Sequence, residues 1–151
     1  MFNFVKRHGV FASICALALV TSSLPATAGP VIRIASNSGG RIGDFIVRLH
    51  QYRSQGSLVQ FSGSCDSACT LLLALPRSNT CITEGTAFRF HAPTAASTQT
   101  SLAAKRYMMS QYPGWVRSWI NKKNGLTSRL ITMDYTYARK FMRTCTEVAS
   151  R

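Results

Sequence analysis

The chain runs to 151 residues, 46% of them hydrophobic and 15% charged, with 18 Lys and Arg against five Asp and Glu for a formal charge of +13. That length excludes two domains of ordinary size. The cationic excess points to anionic partners such as membrane surfaces or acidic polymers, whereas nucleic acid is disfavoured because the basic residues form no aromatic-interleaved motif.

The first residues carry a charged start (Lys6, Arg7), an apolar run from about Gly9 to Val20, and Ala26-Thr27-Ala28. This order predicts a secretory signal peptide over residues 1–28, cut before Gly29. The apolar run is shorter than the roughly 20 residues that a membrane anchor needs. The predicted localisation is therefore secretion across the inner membrane, as a soluble periplasmic or extracellular protein. Loss of Lys6 and Arg7 with the leader lowers the charge to +11 over residues 29–151. Cys15 leaves too, and the even set Cys65, Cys69, Cys81 and Cys145 predicts two disulfides in one of three connectivities. Cys65 and Cys69 have no second cysteine or histidine pair at zinc-site spacing, so no metal is expected, and no cofactor.

In chain order, Val31 to Ala35 is a β-branched strand and Ser36-Asn37-Ser38-Gly39-Gly40 a turn. A helix starts near Gly43-Asp44, with Phe45, Ile46, Leu49 and Tyr52 on one apolar stripe and His50 at its boundary. A second strand runs from Leu58 to Phe61. It leads through Gly63-Ser64-Cys65-Asp66-Ser67-Ala68-Cys69-Thr70 into a buried helix that Pro76 ends. Thr80 to Thr83 is a third strand, Glu84-Gly85-Thr86 a turn, and Ala87 to His91 a fourth strand. A Ser/Thr/Gln-rich loop follows to Ser101. A helical pattern then spans Leu102 to Asn121, broken near Pro113-Gly114 and capped by Asn124-Gly125, and a last helix is predicted from about Asp134 to Arg143. Strands alternating with helices imply a small single α/β domain whose active groups gather at strand C-terminal ends.

Ser67 falls in the first turn of its predicted helix, where free N–H groups and the positive end of the dipole favour a neighbouring oxyanion. A serine attacks only if a base removes its proton, and the one downstream histidine is His91, 24 residues on. The plainer readings are Ser67 as a helix N-cap, His91 as a strand-end residue and Gly39-Gly40 as a tight turn.

The order strand, Asn37-Ser38-Gly39-Gly40, helix, strand, Gly63-x-Cys65-x-Ser67-Ala68, helix, strand pair, His91 resembles the Clp protease/crotonase superfamily, and in particular its exported, Clp-protease-like bacterial members. The likeness covers about Val31 to Pro93. It implies a fold of repeated ββα units over residues 29–151 with a basic helical C-terminal half. It also implies Ser67 as nucleophile, His91 as general base, and an oxyanion hole from Ala68 N–H with Gly39 or Gly40. The family's turn often has Pro between the Ser and the Gly pair; here Ser38 meets Gly39 directly, which leaves the donor register open. Asp134, 43 residues past His91, is the best-placed acid to orient the imidazole, and Lys105 offers an alternative Ser–Lys dyad. The implied function is an exported serine hydrolase, peptidase-like, acting on small peptides or acyl esters, with oligomerisation left open. The competing reading is a non-catalytic module that contacts a partner or an anionic surface through the basic C-terminal half.

Overall fold

The computed structural model describes residues 29–149, so the expected leader lies outside them. Strands β1 (Val31–Asn37) and β2 (Leu58–Asp66) run parallel and are joined by α1 (Ile42–Ser54), the crossover that parallel pairing requires. The predicted stripe is real: Phe45 and Leu49 are buried, Ile46 and Tyr52 pack beside them, and His50 is exposed. Full burial of such a side chain contributes roughly 1.5–3 kcal/mol.

β2 continues five residues past the predicted end at Phe61, through Ser62, Gly63 and Ser64. Small residues suit this stretch because β1 slips register between Ile34 and Ser36 and the Ala35 carbonyl then fills the space that a Cβ on residue 63 would occupy. After β2 the chain forms a 3-10 helix, Ser67–Ala74, rather than an α-helix. Ala68 through Leu73 are all buried, as a helix apolar on every side must be. A 3-10 turn at Arg77–Asn79 leads to β3 (Thr80–Ile82), and β4 (Ala87–Phe90) follows.

β1 pairs along nearly the whole of one edge of β2, so β3 and β4 share the other edge end to end. β3 lies against Val59–Phe61 and β4 against Ser64–Asp66, both parallel to β2. The Glu84–Thr86 segment is therefore a jog that keeps the chain's direction and not a reversal. Buried Thr86 bridges the gap through its hydroxyl, 2.8 Å from the Phe61 carbonyl. The sheet becomes mixed and curled because β5 (Ile131–Asp134) adds antiparallel to β4 and β6 (Arg143–Thr144) adds parallel to β3.

The expected helical pattern divides at Pro113 into α2 (Thr98–Gln111) and α3 (Gly114–Lys122). The helix predicted over residues 134–143 is not formed as one piece. Asp134 caps the four-residue α4 (Tyr135–Ala138), and the chain then turns to place β6 and α5 (Cys145–Ala149) on the sheet edge. Side-chain bonds from Arg143 to the carbonyls of Arg77 and Ser78 hold that edge and outweigh local helical tendency. The four expected cysteines pair as Cys65–Cys69 and Cys81–Cys145.

Candidate active site

Ser67 stands where β2 ends and the 3-10 helix begins. Asp66 is extended, and Ser67 itself adopts φ 53°, a left-handed conformation that costs a residue with a side chain about 1–2 kcal/mol. The Cys65–Cys69 disulfide brackets this elbow symmetrically, and both cysteines are fully buried. Ser67 remains half-buried.

The register Asn37 opposite Cys65 brings the Gly39-Gly40 turn alongside the elbow. A Cβ on residue 39 would lie 2.6 Å from the Asp66 carbonyl oxygen, 2.8 Å from Ser67 Cβ and 3.1 Å from the Ala68 nitrogen. With φ 88° as well, position 39 accepts only glycine. The Gly39 N–H donates to Asn37 Oδ1 at 2.9 Å and is therefore occupied. No hydrogen bond takes the Gly40 N–H among the described residues, and the Ala68 N–H belongs to a first helical turn that supplies no acceptor.

His91 follows β4 directly. Asp66, the last residue of β2, pairs with Arg89, so Ser67 comes one residue past that pair on its strand and His91 two residues past it on the neighbouring one. Ser67 and His91 thus share the C-terminal end of two adjacent parallel strands, which lie about 4.8 Å apart. His91 Nδ1 is 2.7 Å from the Ala92 carbonyl oxygen. A carbonyl only accepts, so Nδ1 is the donor of this bond, and in the neutral ring Nε2 is the acceptor nitrogen. The Ala92 N–H donates to the Thr127 carbonyl at 2.6 Å and braces the segment. Among the described residues no hydrogen bond joins Ser67 to His91.

Asp134 is not brought to the imidazole. It pairs across β4 with Ala87, while Ile131 is opposite Phe90, so it stands three residues, about 10 Å, down the strand from that end. Its Oδ1 instead accepts the Tyr137 N–H at 2.8 Å. The Ala92 carbonyl occupies the partner position the sequence reading gave to an acid. Lys105 is half-buried on α2 and forms no hydrogen bond with Ser67 among the described residues. Asp66 forms a 2.8 Å ion pair with its cross-strand partner Arg89, beside the elbow. Thr70 and Tyr112, behind the elbow, also escaped the sequence reading. Thr70 Oγ1 bonds the Ser67 carbonyl at 2.6 Å and Tyr112 Oη at 2.6 Å. The Ser67-x-x-Thr70 spacing signals the first of these bonds, but nothing local signals Tyr112.

Among the described residues no group of three or more His, Cys, Asp or Glu is placed to hold a metal ion, and no helix is long and apolar enough to cross a membrane. No protein-family model matches the chain, and no curated protein matches it. Solved structures do. One, described as an enzyme, aligns with a TM-score of 0.55 at 11% identity over 76% of this chain and 75% of its own. A peptidase from Plasmodium falciparum aligns with a TM-score of 0.51 at 12% identity over the same shares. At these identities the likeness is one of fold.

Proposed function

We propose that this chain is an exported serine hydrolase of Clp protease/crotonase type, peptidase-like, with Ser67 as nucleophile and His91 as general base. The observation that carries the reading is the meeting of three features at neighbouring strand ends: a serine on a left-handed elbow, a glycine turn packed against its backbone, and a histidine whose Nδ1 is turned to the Ala92 carbonyl. The peptidase among the structural neighbours supports it.

In this mechanism Nε2 of His91 takes the Ser67 hydroxyl proton as Oγ attacks the carbonyl of a small peptide or acyl ester. The developing oxyanion accepts hydrogen bonds from Gly40 N–H and Ala68 N–H; each such donor lowers the barrier by about 2.7–4 kcal/mol. His91 then protonates the leaving group, and water, deprotonated by the same nitrogen, hydrolyses the acyl-enzyme. The Ala92 carbonyl holds the tautomer in place of a triad acid. The Ser67–His91 contact tightens when substrate is bound, as catalytic hydrogen bonds commonly do.

The test is labelling of the purified domain, residues 29–151, with a fluorophosphonate probe. The native protein is expected to label, and Ser67→Ala and His91→Ala to fail. Silence from folded native protein would move function to the basic C-terminal half, where Lys123, Arg139 and Lys140 lie over the rings of Trp119, Tyr135 and Tyr137.

A further inference from the structure

The Ser67 elbow is anchored from behind by a directional chain of hydrogen bonds. Thr70 gives its single hydroxyl hydrogen to the Ser67 carbonyl at 2.6 Å. Its other 2.6 Å bond, to Tyr112 Oη, must then run the opposite way, with Tyr112 donating. The order is Tyr112 O–H to Thr70 O–H to Ser67 C=O. Water is excluded along it: Thr70 is 0% exposed and Tyr112 1%. Burial also pushes the Tyr112 phenol far above the ordinary tyrosine range, more than the Thr70 bond lowers it, so the group stays a donor.

Tyr112 reaches the base as well as the nucleophile. Its ring packs edge-on against Phe90, centroids 5.7 Å apart, and Phe90 is the residue that delivers His91. Its backbone is pinned on both sides. The N–H donates to the Met108 carbonyl at 3.2 Å, and the carbonyl accepts from Arg117 Nη1 at 3.0 Å. One rigid side chain just past the end of α2 therefore touches the mounts of both reacting groups.

We propose that Tyr112, acting through Thr70, is a positioning residue that holds the Ser67 elbow in register with His91, an inference that rests on the hydrolase reading above. Neither side chain touches substrate. Their effect is on where Oγ stands relative to Nε2, and a misplacement of about 1 Å at a reacting group costs on the order of 100-fold in rate.

The experiment measures the second-order rate of fluorophosphonate labelling together with the melting temperature, in native protein, Thr70→Ser, Thr70→Val, Tyr112→Phe and the Thr70→Val/Tyr112→Phe double variant. Thr70→Ser keeps the hydroxyl and is expected to label at the native rate. Thr70→Val and Tyr112→Phe are expected to label at least ~10-fold more slowly. Thr70→Val also strands the Tyr112 hydroxyl in the core and should melt lower. The double variant leaves neither hydroxyl unpaired, so it should regain melting temperature while its labelling stays slow. A merely structural role predicts instead that labelling returns with stability, and that result overturns the inference. So does a folded Thr70→Val that labels at the native rate. If Thr70→Val does not fold, Tyr112→Phe and the double variant decide by the same criterion. A native protein that is folded but never labels defeats the hydrolase reading and this inference together, whereas native labelling with an indifferent double variant defeats the inference alone.

Discussion

A serine at φ 53° is held against its own backbone preference, and such strain persists only where its surroundings over-determine it. Here the disulfide brackets the residue, Thr70 grips its carbonyl, and Gly39 leaves no space for retreat. Glycine adopts this conformation without a Cβ penalty, and alanine does not. Ser67→Gly is therefore expected to be more stable than Ser67→Ala by about 1 kcal/mol, while neither variant labels. Urea unfolding of the two variants checks this, and equal midpoints would show that the elbow is unstrained. A more stable Ser67→Gly would show that position 67 exchanges stability for chemistry, a common feature of active sites. The imidazole carries a second lesson at this scale. Any carbonyl in the right place can orient an imidazole: the Ala92 carbonyl meets His91 Nδ1, while Asp134 caps α4.

Among the elements, β2 is the one on which placement depends, because its far edge is divided between β3 and β4. β4 is thereby carried to the level of the elbow, and β3 stays behind to receive β6. The two disulfides serve these two ends differently. Cys81–Cys145 spans 64 residues and fastens α5 to β3, where Thr144 and Glu147 also cap each other reciprocally: the Thr144 N–H donates to Glu147 Oε2 and the Glu147 N–H to Thr144 Oγ1. Cys65–Cys69 spans four residues and closes only the elbow. Loop-closure entropy puts the loss of a crosslink at about 4 kcal/mol for the longer loop and about 2 kcal/mol for the shorter. Replacing Cys81 and Cys145 by Ala should accordingly lower stability more than replacing Cys65 and Cys69, and the shorter pair should slow labelling more. The same two readouts, unfolding midpoint and labelling rate, test both halves. A reversed order in labelling would mean that the Cys65–Cys69 bond does not set the elbow.

For the whole molecule, the buried Tyr112 couples stability to alkaline pH. Unfolded, the phenol ionises near pH 10, whereas the folded protein retains the proton to higher pH. Its contribution is complete below about pH 10 and is lost as pH rises toward the folded value. Melting temperature is expected to fall above pH 10, and to fall less steeply in Tyr112→Phe. Identical slopes would mean that the phenol is not buried. The partition between local and global information follows the same line. Alternating apolar residues, turn residues and small-residue clusters are local, and they sufficed for β1, α1, the break at Pro113, the Ser67 turn and the choice of Ser67 and His91 as candidates. The glycine pair became a candidate only through the resemblance of its motif order to the Clp protease/crotonase superfamily. The even cysteine count predicted two bonds. Which cysteines pair, that β3 and β4 share one edge, that β5 exists, and that Tyr112 bonds Thr70 behind Ser67 were decided only by tertiary structure. The Cys81–Cys145 bond, the shared edge, β5 and the Tyr112–Thr70 bond each join residues far apart in the chain. Sheet edges and buried hydroxyls choose partners by register and by exclusion of water, and neither is written into a short stretch of sequence.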